Sequence, residues 1–398
     1  MGAQLYLSLS IMMFLEFAIW GAWAPVLAAR LLGPLKMSGK QTGWIYGTLF
    51  LAFIVSPLIA GQLADQWVAA QWLLAAAHVV GGVLLFIAAR KKTFGSLFAV
   101  MCLYSLCYAA TVPLVNSLMF SQLGKVHADD AAVAASSANI FIWAPVAWVL
   151  VGLLLTGWRR IKGTGDGSDC LKLAGGVSLL MGVFCLFLPH TPPPGAGGDV
   201  LPFVKALSML SEGNFLLFLV LSFVVASQLQ FYFLGTAQYL QDIGVQPKNV
   251  PAMMAIAQAT QTIATLVALI YFVNTLGFRW TLAIGVLSWL VLYLAYSAMK
   301  PKWLVISSMG FHGIAYVLFI IGGQIYVNSV ASEDIKSSAQ ALLFVVTMGF
   351  GLFLGTQFTG VIMDKFKKEG TFQWRPIFLV PCVLTAVCVI AFILFFKG

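Results

Sequence analysis

The sequence predicts an all-α integral membrane protein with twelve transmembrane helices in two six-helix bundles, and three observations lead there. Apolar residues make up 61% of the 398 residues and charged ones only 9%, a balance foreign to soluble domains. Mean hydropathy is +0.96, and the apolar stretches are unbroken runs of the roughly 20 residues a spanning helix needs, unlike the alternating segments of a membrane barrel. The single long polar connection, Pro189 to Asn214, falls near the middle of the chain. Soluble enzymes and DNA-binding domains are disfavoured, and no nucleic-acid partner is expected. The net charge of +9 comes from Lys and Arg in loops beside helix ends, where membrane topology accounts for them.

Hydropathy and the breaks at Gly, Pro and charge place the spans. Six fall near 5–29, 43–62, 71–89, 95–118, 138–157 and 171–188. Six more fall near 215–240, 251–273, 280–299, 303–328, 338–362 and 374–396. The first is a span rather than a cleaved signal: Met1 to Leu9 has no basic region, and the apolar run continues through Ala29 without a small-residue cleavage pattern. The second ends in Gly61-Gln62-Leu63-Ala64-Asp65, where Asp65 can cap the helix that follows. Arg90-Lys91-Lys92 and Arg159-Arg160 mark the loops after the third and fifth spans. The organisation expected is thus an N-terminal bundle over 1–188, a linker over 189–214 and a C-terminal bundle over 215–398. The linker holds His190-Thr191-Pro192-Pro193-Pro194-Gly195 and an amphipathic piece from Phe203 to Leu210. Glycines at 81–82, 175–176, 349, 351 and 355 allow close helix approach.

Orientation divides the evidence of charge. With both termini cytoplasmic, that side receives Lys125, Lys205, Arg279, Lys336 and Lys397, and the opposite side the other seventeen basic residues. The positive-inside rule then argues for the reverse. The six cysteines form no CxxC pair and are read as packing residues.

Of thirteen acidic residues, only Glu16 sits in the middle of a span. An ionised side chain there costs about 2.5–3.5 kcal/mol even on mild insertion scales, so it needs a cavity or a partner. Two readings fit: a proton carrier, or a neutral brace between helices. Of the two histidines at depth, His78 is read as an interhelical hydrogen-bonder. His312, one turn before Tyr316 in a glycine-rich stretch, is either that or part of a cavity wall.

Uncharged polar residues fall in phase. Gln258 and Gln261 share a face of the eighth span, which Thr262 and Thr265 continue. The seventh span offers Gln228 and Gln230, the tenth Gln324 and Asn328, and the N-terminal half Asn116 and Asn139. Amides pair donor and acceptor together, as a nucleobase edge or sugar hydroxyls require. Trp20, Trp23, Tyr104, Tyr108, Trp143, Trp148 and Phe231 to Phe233 add rings able to stack on a planar ligand. With no Arg or Lys at depth, a dicarboxylate or sugar phosphate is excluded. An enzyme is not expected, because no metal-ligand cluster or paired carboxylates occur at depth, and no cofactor is implied.

Several stretches together resemble the nucleoside:proton symporters of the major facilitator superfamily. They are Trp20-Gly21-Ala22-Trp23, Ala64-Asp65-Gln66-Trp67 through Trp72, His78, Asn116, Ile142-Trp143, Leu188-Pro189-His190, Leu229-Gln230, Gln258 with Gln261, Ser338-Ala339-Gln340 and Gly349-Phe350-Gly351. The resemblance implies a secondary transporter of nucleosides or similar neutral planar solutes, working by alternating access in the bacterial inner membrane. Proton coupling and a monomeric state go with it. It assigns Gln230 and Gln258 to direct nucleoside contact. The chain departs from the pattern at Phe141, Gln261 and Val317, where the family carries Arg, Glu and Asp, at Phe233 in place of Asn, and at Glu16 in place of Gln. Glu16 is therefore the favoured proton site, with His312 as accomplice. Gln230, Gln258, Gln261, Asn116 and Gln324 are expected to bond the ligand, and Trp20, Phe141 and Tyr316 to supply apolar contacts. An uncoupled facilitator of another small polar metabolite and a transporter-like ligand sensor remain the alternatives.

Overall fold

The computed structural model describes residues 2–127, 130–193, 207–267, 269–331 and 336–397. Each predicted span meets a helix. The first six are α1 (Ala3–Leu32), α2 (Gly39–Gln66), α3 (Ala70–Arg90), α4 (Phe94–Gly124), α5 (Asn139–Lys162) and α6 (Asp169–Phe187). The second six are α7 (Gly213–Asp242), α8 (Pro247–Val267), α9 (Thr275–Ala298), α10 (Lys302–Val330), α11 (Ala339–Lys365) and α12 (Trp374–Leu394). Among the described residues, the eleven other than α2 are long and apolar enough to cross a membrane, and α2, at 28 residues, completes the set. The ends differ where hydropathy is a poor guide. Arg159 and Arg160 belong to the last turn of α5 rather than to a loop, where their charge complements the helix dipole. A separate helix, Asp130–Phe141, precedes the main run of α5, with the break at Ile142. Hydropathy reports where a chain leaves lipid, whereas backbone hydrogen bonding carries the helix further.

Two compact units form. The first holds Met1–Met37, Trp44–Gly197 and Pro247–Ala252, and the second Ser38–Gly43, Gly198–Gln246 and Met253–Gly398. Of the amphipathic piece expected from Phe203, only the end is described, as a single 3-10 turn at Ser208–Ser211. The side chains of Gly61 and Asp65 lie outside the described residues, although both fall within α2.

In the first unit α3 lies against α4 and α6. Gly82 and Gly175 face each other at the α3–α6 crossing, where a Cβ on either would stand 3.0 Å from the other's carbonyl oxygen. Two arginines counted as loop charges prove internal. Arg30, 2% exposed, donates from Nη2 to the carbonyls of Ala89 (2.9 Å) and Lys91 (3.1 Å) and so closes the C-terminus of α3. The same Nη2 lies 3.4 Å from Asp166. Arg159, 4% exposed, grips Asp169 through Nε (2.5 Å) and Nη2 (2.7 Å). Partial burial alone would raise the Asp166 carboxyl, but hydrogen bonds from Ser168 and the Arg30 charge hold it below the usual carboxylate range. The chain leaving α6 is anchored by two amides. Gln71 Oε1 accepts from the Thr191 N–H (3.0 Å), and Gln122 Nε2 donates to Thr191 Oγ1 (2.7 Å).

In the second unit α9 lies along α12, and Phe378 meets Tyr296 (4.9 Å between ring centroids) and Tyr239 (5.0 Å). Helices α10 and α11 each contain a π-helical segment, Tyr316–Ile321 and Val345–Gly351. Such segments widen a helix by one residue per turn and recur at functional sites. Asp364, near the end of α11, accepts the backbone N–H groups of Gly39 (2.5 Å) and Lys40 (2.9 Å), donors that have no partner inside their own helix. A short hairpin pairs Lys367–Lys368 with Thr371–Phe372 before α12. All six cysteines are free, and Cys170, Cys185, Cys382 and Cys388 are buried.

Candidate functional site

Glu16 lies in the middle of α1 with a fully buried side chain. Its Oε2 is 2.9 Å from Nε2 of His78 on α3. Its Oε1 is 2.7 Å from Thr111 Oγ1 on α4, and its backbone carbonyl accepts from Tyr108 Oη at 2.9 Å. Ser178 Oγ on α6 donates to the His78 carbonyl (2.8 Å), fixing the turn that carries the imidazole. Three helices thus converge on one carboxyl. Sequence reasoning missed both His78 and Thr111 as its partners, since no local spacing relates α1 to α3 or α4.

One turn beyond Glu16, Trp20 is half-buried, with Trp148 (5.7 Å), Phe53 (5.9 Å) and Tyr108 (6.3 Å) around its ring. Trp23, three residues on, donates from Nε1 to Tyr104 Oη (3.2 Å), so the Trp20-Gly21-Ala22-Trp23 motif is tied into the aromatic wall of this unit. Asn116 is half-buried, its Oδ1 enclosed and without a hydrogen-bond partner. Phe141 is half-buried against Phe120 at 6.2 Å. Asn139 is exposed.

In the second unit α7 breaks its regular pattern at Leu229, whose N–H reaches back to Ala226 in a tightened turn. Gln228 and Gln230 flank that break. Both are fully buried, and the nitrogen and oxygen of both amides lack partners. An unsatisfied buried polar atom costs about 1–3 kcal/mol, so four together call for a ligand or another compensating group. Gln258 and Gln261 on α8 are each 9% exposed. The threonines expected to continue their face are engaged otherwise: Thr262 and Thr265 donate back to the carbonyls of Gln258 (3.0 Å) and Gln261 (2.9 Å). Helix α10 crosses α8 at Gly313. A Cβ there would overlap the Ala257 carbonyl oxygen and the Gln261 nitrogen and lie 3.0 Å from the Thr260 carbonyl carbon.

His312 is buried in the second unit, stacked on Tyr232 with ring centroids 3.9 Å apart. Its Nδ1 accepts the Trp289 Nε1–H at 3.2 Å. Tyr316 opens the π-helical segment of α10 and is half-buried. Gln324 is exposed, and its backbone carbonyl accepts from Gln340 Nε2 (2.6 Å). Among the described residues no group of three or more His, Cys, Asp or Glu is placed to hold a metal ion.

Twelve spanning helices, with buried amides and, among the described residues, a single acid buried at mid-span, define a membrane transporter of the major facilitator type. The comparisons with known proteins narrow this class. The chain belongs to the nucleoside H+ symporter family, whose description matches residues 3–398. It is 31% identical to YegT of Escherichia coli over 98% of this chain and 93% of that protein. It is 25% identical to the nucleoside permease NupG of Escherichia coli over 99% of this chain and 96% of NupG. A crystal structure of a NupG mutant superposes with a TM-score of 0.89 at 25% identity, covering 99% of this chain and 100% of that one. A bacterial homologue of the lysosomal transporter Spinster shares the fold, with a TM-score of 0.79 at 14% identity.

Proposed function

We propose that this protein moves nucleosides together with protons across the bacterial inner membrane by alternating access. The substrate is held by Gln230, Gln258 and Gln261, and the proton by Glu16. The observation that carries this reading is the buried pair Gln228 and Gln230, whose amide atoms have no partner. A nucleobase edge or a ribose offers alternating donors and acceptors, and so can satisfy amide oxygen and nitrogen at once. Family membership supports the substrate class, as do two relatives, the nucleoside permease NupG and an Escherichia coli xanthosine permease, the latter 23% identical. Trp20 and Tyr316 are the rings proposed to meet the base, with Phe141 replacing a charged group by an apolar one. Asn116 is proposed as a further polar contact in the first unit, and Gln324 as a contact near the end of α10.

The test is uptake of labelled nucleosides into proteoliposomes with and without a pH gradient. Wild-type protein is expected to accumulate nucleoside only with the gradient, and Glu16→Gln to equilibrate it. Gln230→Leu is expected to weaken nucleoside affinity by about 5- to 150-fold, the equivalent of about 1–3 kcal/mol for a lost buried hydrogen-bonding group. Absence of nucleoside binding and exchange in the wild type would refute the assignment.

A further inference from the structure

Resting on the reading of the chain as a proton-coupled carrier, we propose that the coupling proton is held by Glu16 and His78 acting as one dyad, complete within the first unit, and that the dyad cycles a single proton. The Oε2 to Nε2 separation of 2.9 Å is a direct contact between two atoms that have no other partner, and the carboxyl and imidazole side chains are 0% and 1% exposed. His312, the histidine the sequence singled out as accomplice, lies in the second unit with its Nδ1 already accepting from Trp289.

Counting donors sets the proton number. Thr111 Oγ1 is 2.7 Å from both Glu16 Oε1 and the Tyr108 carbonyl, yet it owns one hydrogen. With a proton on Glu16 Oε1, Glu16 donates to Thr111 and Thr111 donates to the Tyr108 carbonyl, while Oε2 and His78 Nε2 face each other at 2.9 Å with no other partner. Moving that proton to the imidazole gives a carboxylate facing an imidazolium, with the same total. Either arrangement has zero net charge, as a sealed low-dielectric site demands. A second proton leaves the site at +1, and removal of the first leaves it at −1. The neighbours do not offset either charge: α4 contributes the phenols Tyr104 and Tyr108 and α6 the thiol Cys185, all neutral near physiological pH. The one-proton dyad is therefore the occluded species, and proton release requires water to reach it. A place for that opening lies close by. Pro113, two residues beyond Thr111, has no N–H for the Ala109 carbonyl, so α4 is weakest to bending beside the carboxyl.

Steady-state accumulation tests this, because the ratio inside to outside depends on the number of coupled protons and not on turnover rate. With the membrane potential clamped at zero, a pH gradient of one unit is worth ~1.4 kcal/mol per proton, hence about tenfold accumulation for one proton and about a hundredfold for two. The expected results are about tenfold for wild type and no accumulation above unity for His78→Gln. A hundredfold ratio in the wild type, or wild-type accumulation in His78→Gln, overturns the dyad. Loss of nucleoside exchange in the wild type itself would refute the carrier reading, which is a distinguishable result. If His78→Gln fails to fold, infrared titration of the wild type decides. The carboxyl band that disappears in Glu16→Gln must titrate in one step with an imidazole band. Independent titration, or a pH-insensitive Glu16 band, overturns the proposal.

Discussion

Substituting Gly313 by alanine adds one methyl group at the crossing of α10 and α8, and the atoms it meets decide the outcome. They are the Ala257 carbonyl oxygen, the Gln261 nitrogen and the Thr260 carbonyl carbon, the last at 3.0 Å. All three belong to backbone, so none can rotate aside. Comfortable contacts lie near 3.5–4.0 Å and the Ala257 oxygen and Gln261 nitrogen stand closer still than the Thr260 carbon, so the two helices must part by roughly 1 Å or more, or distort. Overpacking of this kind costs about 1–3 kcal/mol, offset in part by the ~1 kcal/mol that alanine gains over glycine in helix propensity. The displaced segment of α8 carries Gln258 and Gln261. Gly313→Ala is therefore expected to lower the unfolding temperature in detergent and to raise the nucleoside KM several-fold in exchange assays. Gly176→Ala, where a Cβ meets nothing within 4 Å, is the matched control and should be neutral or stabilising. If Gly313→Ala unfolded at the wild-type temperature with an unchanged KM, the close crossing and its link to the α8 amides would both be wrong.

Two further outcomes concern the polar ends of the first unit. Arg159→Met leaves Asp169 without its bidentate partner and is expected to cost about 3–5 kcal/mol, as for a buried pair broken on one side. Adding Asp169→Asn should restore part of the loss in a thermal double-mutant cycle, and strict additivity would show that the pair contributes no coupling. Asp166 has its carboxyl held low in the folded state. The stability it contributes is present above the carboxylate's unfolded pKa and is lost as pH falls through the folded value. Wild-type protein should accordingly lose more thermal stability than Asp166→Asn between about pH 5 and pH 3, and parallel pH profiles would contradict this.

What could be read along the chain was whatever a single helix expresses by itself. The α8 pair Gln258 and Gln261 was legible because a spacing of three residues puts two side chains on one face of any helix. Thr262 and Thr265 lie four residues beyond Gln258 and Gln261 on that helix, yet their hydroxyls turn back on the carbonyls of those glutamines, a choice periodicity does not record. Gln324 shows the same limit, since composition marks it as polar in a span while the fold leaves it exposed. Arg30 and Arg159 sit beside loops in sequence and are buried in space, which a charge count along the chain does not record.

The sequence by itself determined that the chain spans a membrane twelve times and that Glu16 needs a partner. Both follow from transfer free energies that each segment bears regardless of its neighbours. Only the tertiary structure decided that the partner is His78 rather than His312, that Thr111 completes the set, and that the α7 amides are enclosed without satisfaction. Pairing between helices depends on their relative rotation and depth, which are set by side-chain packing across many crossings at once and leave no periodic trace in any one of them.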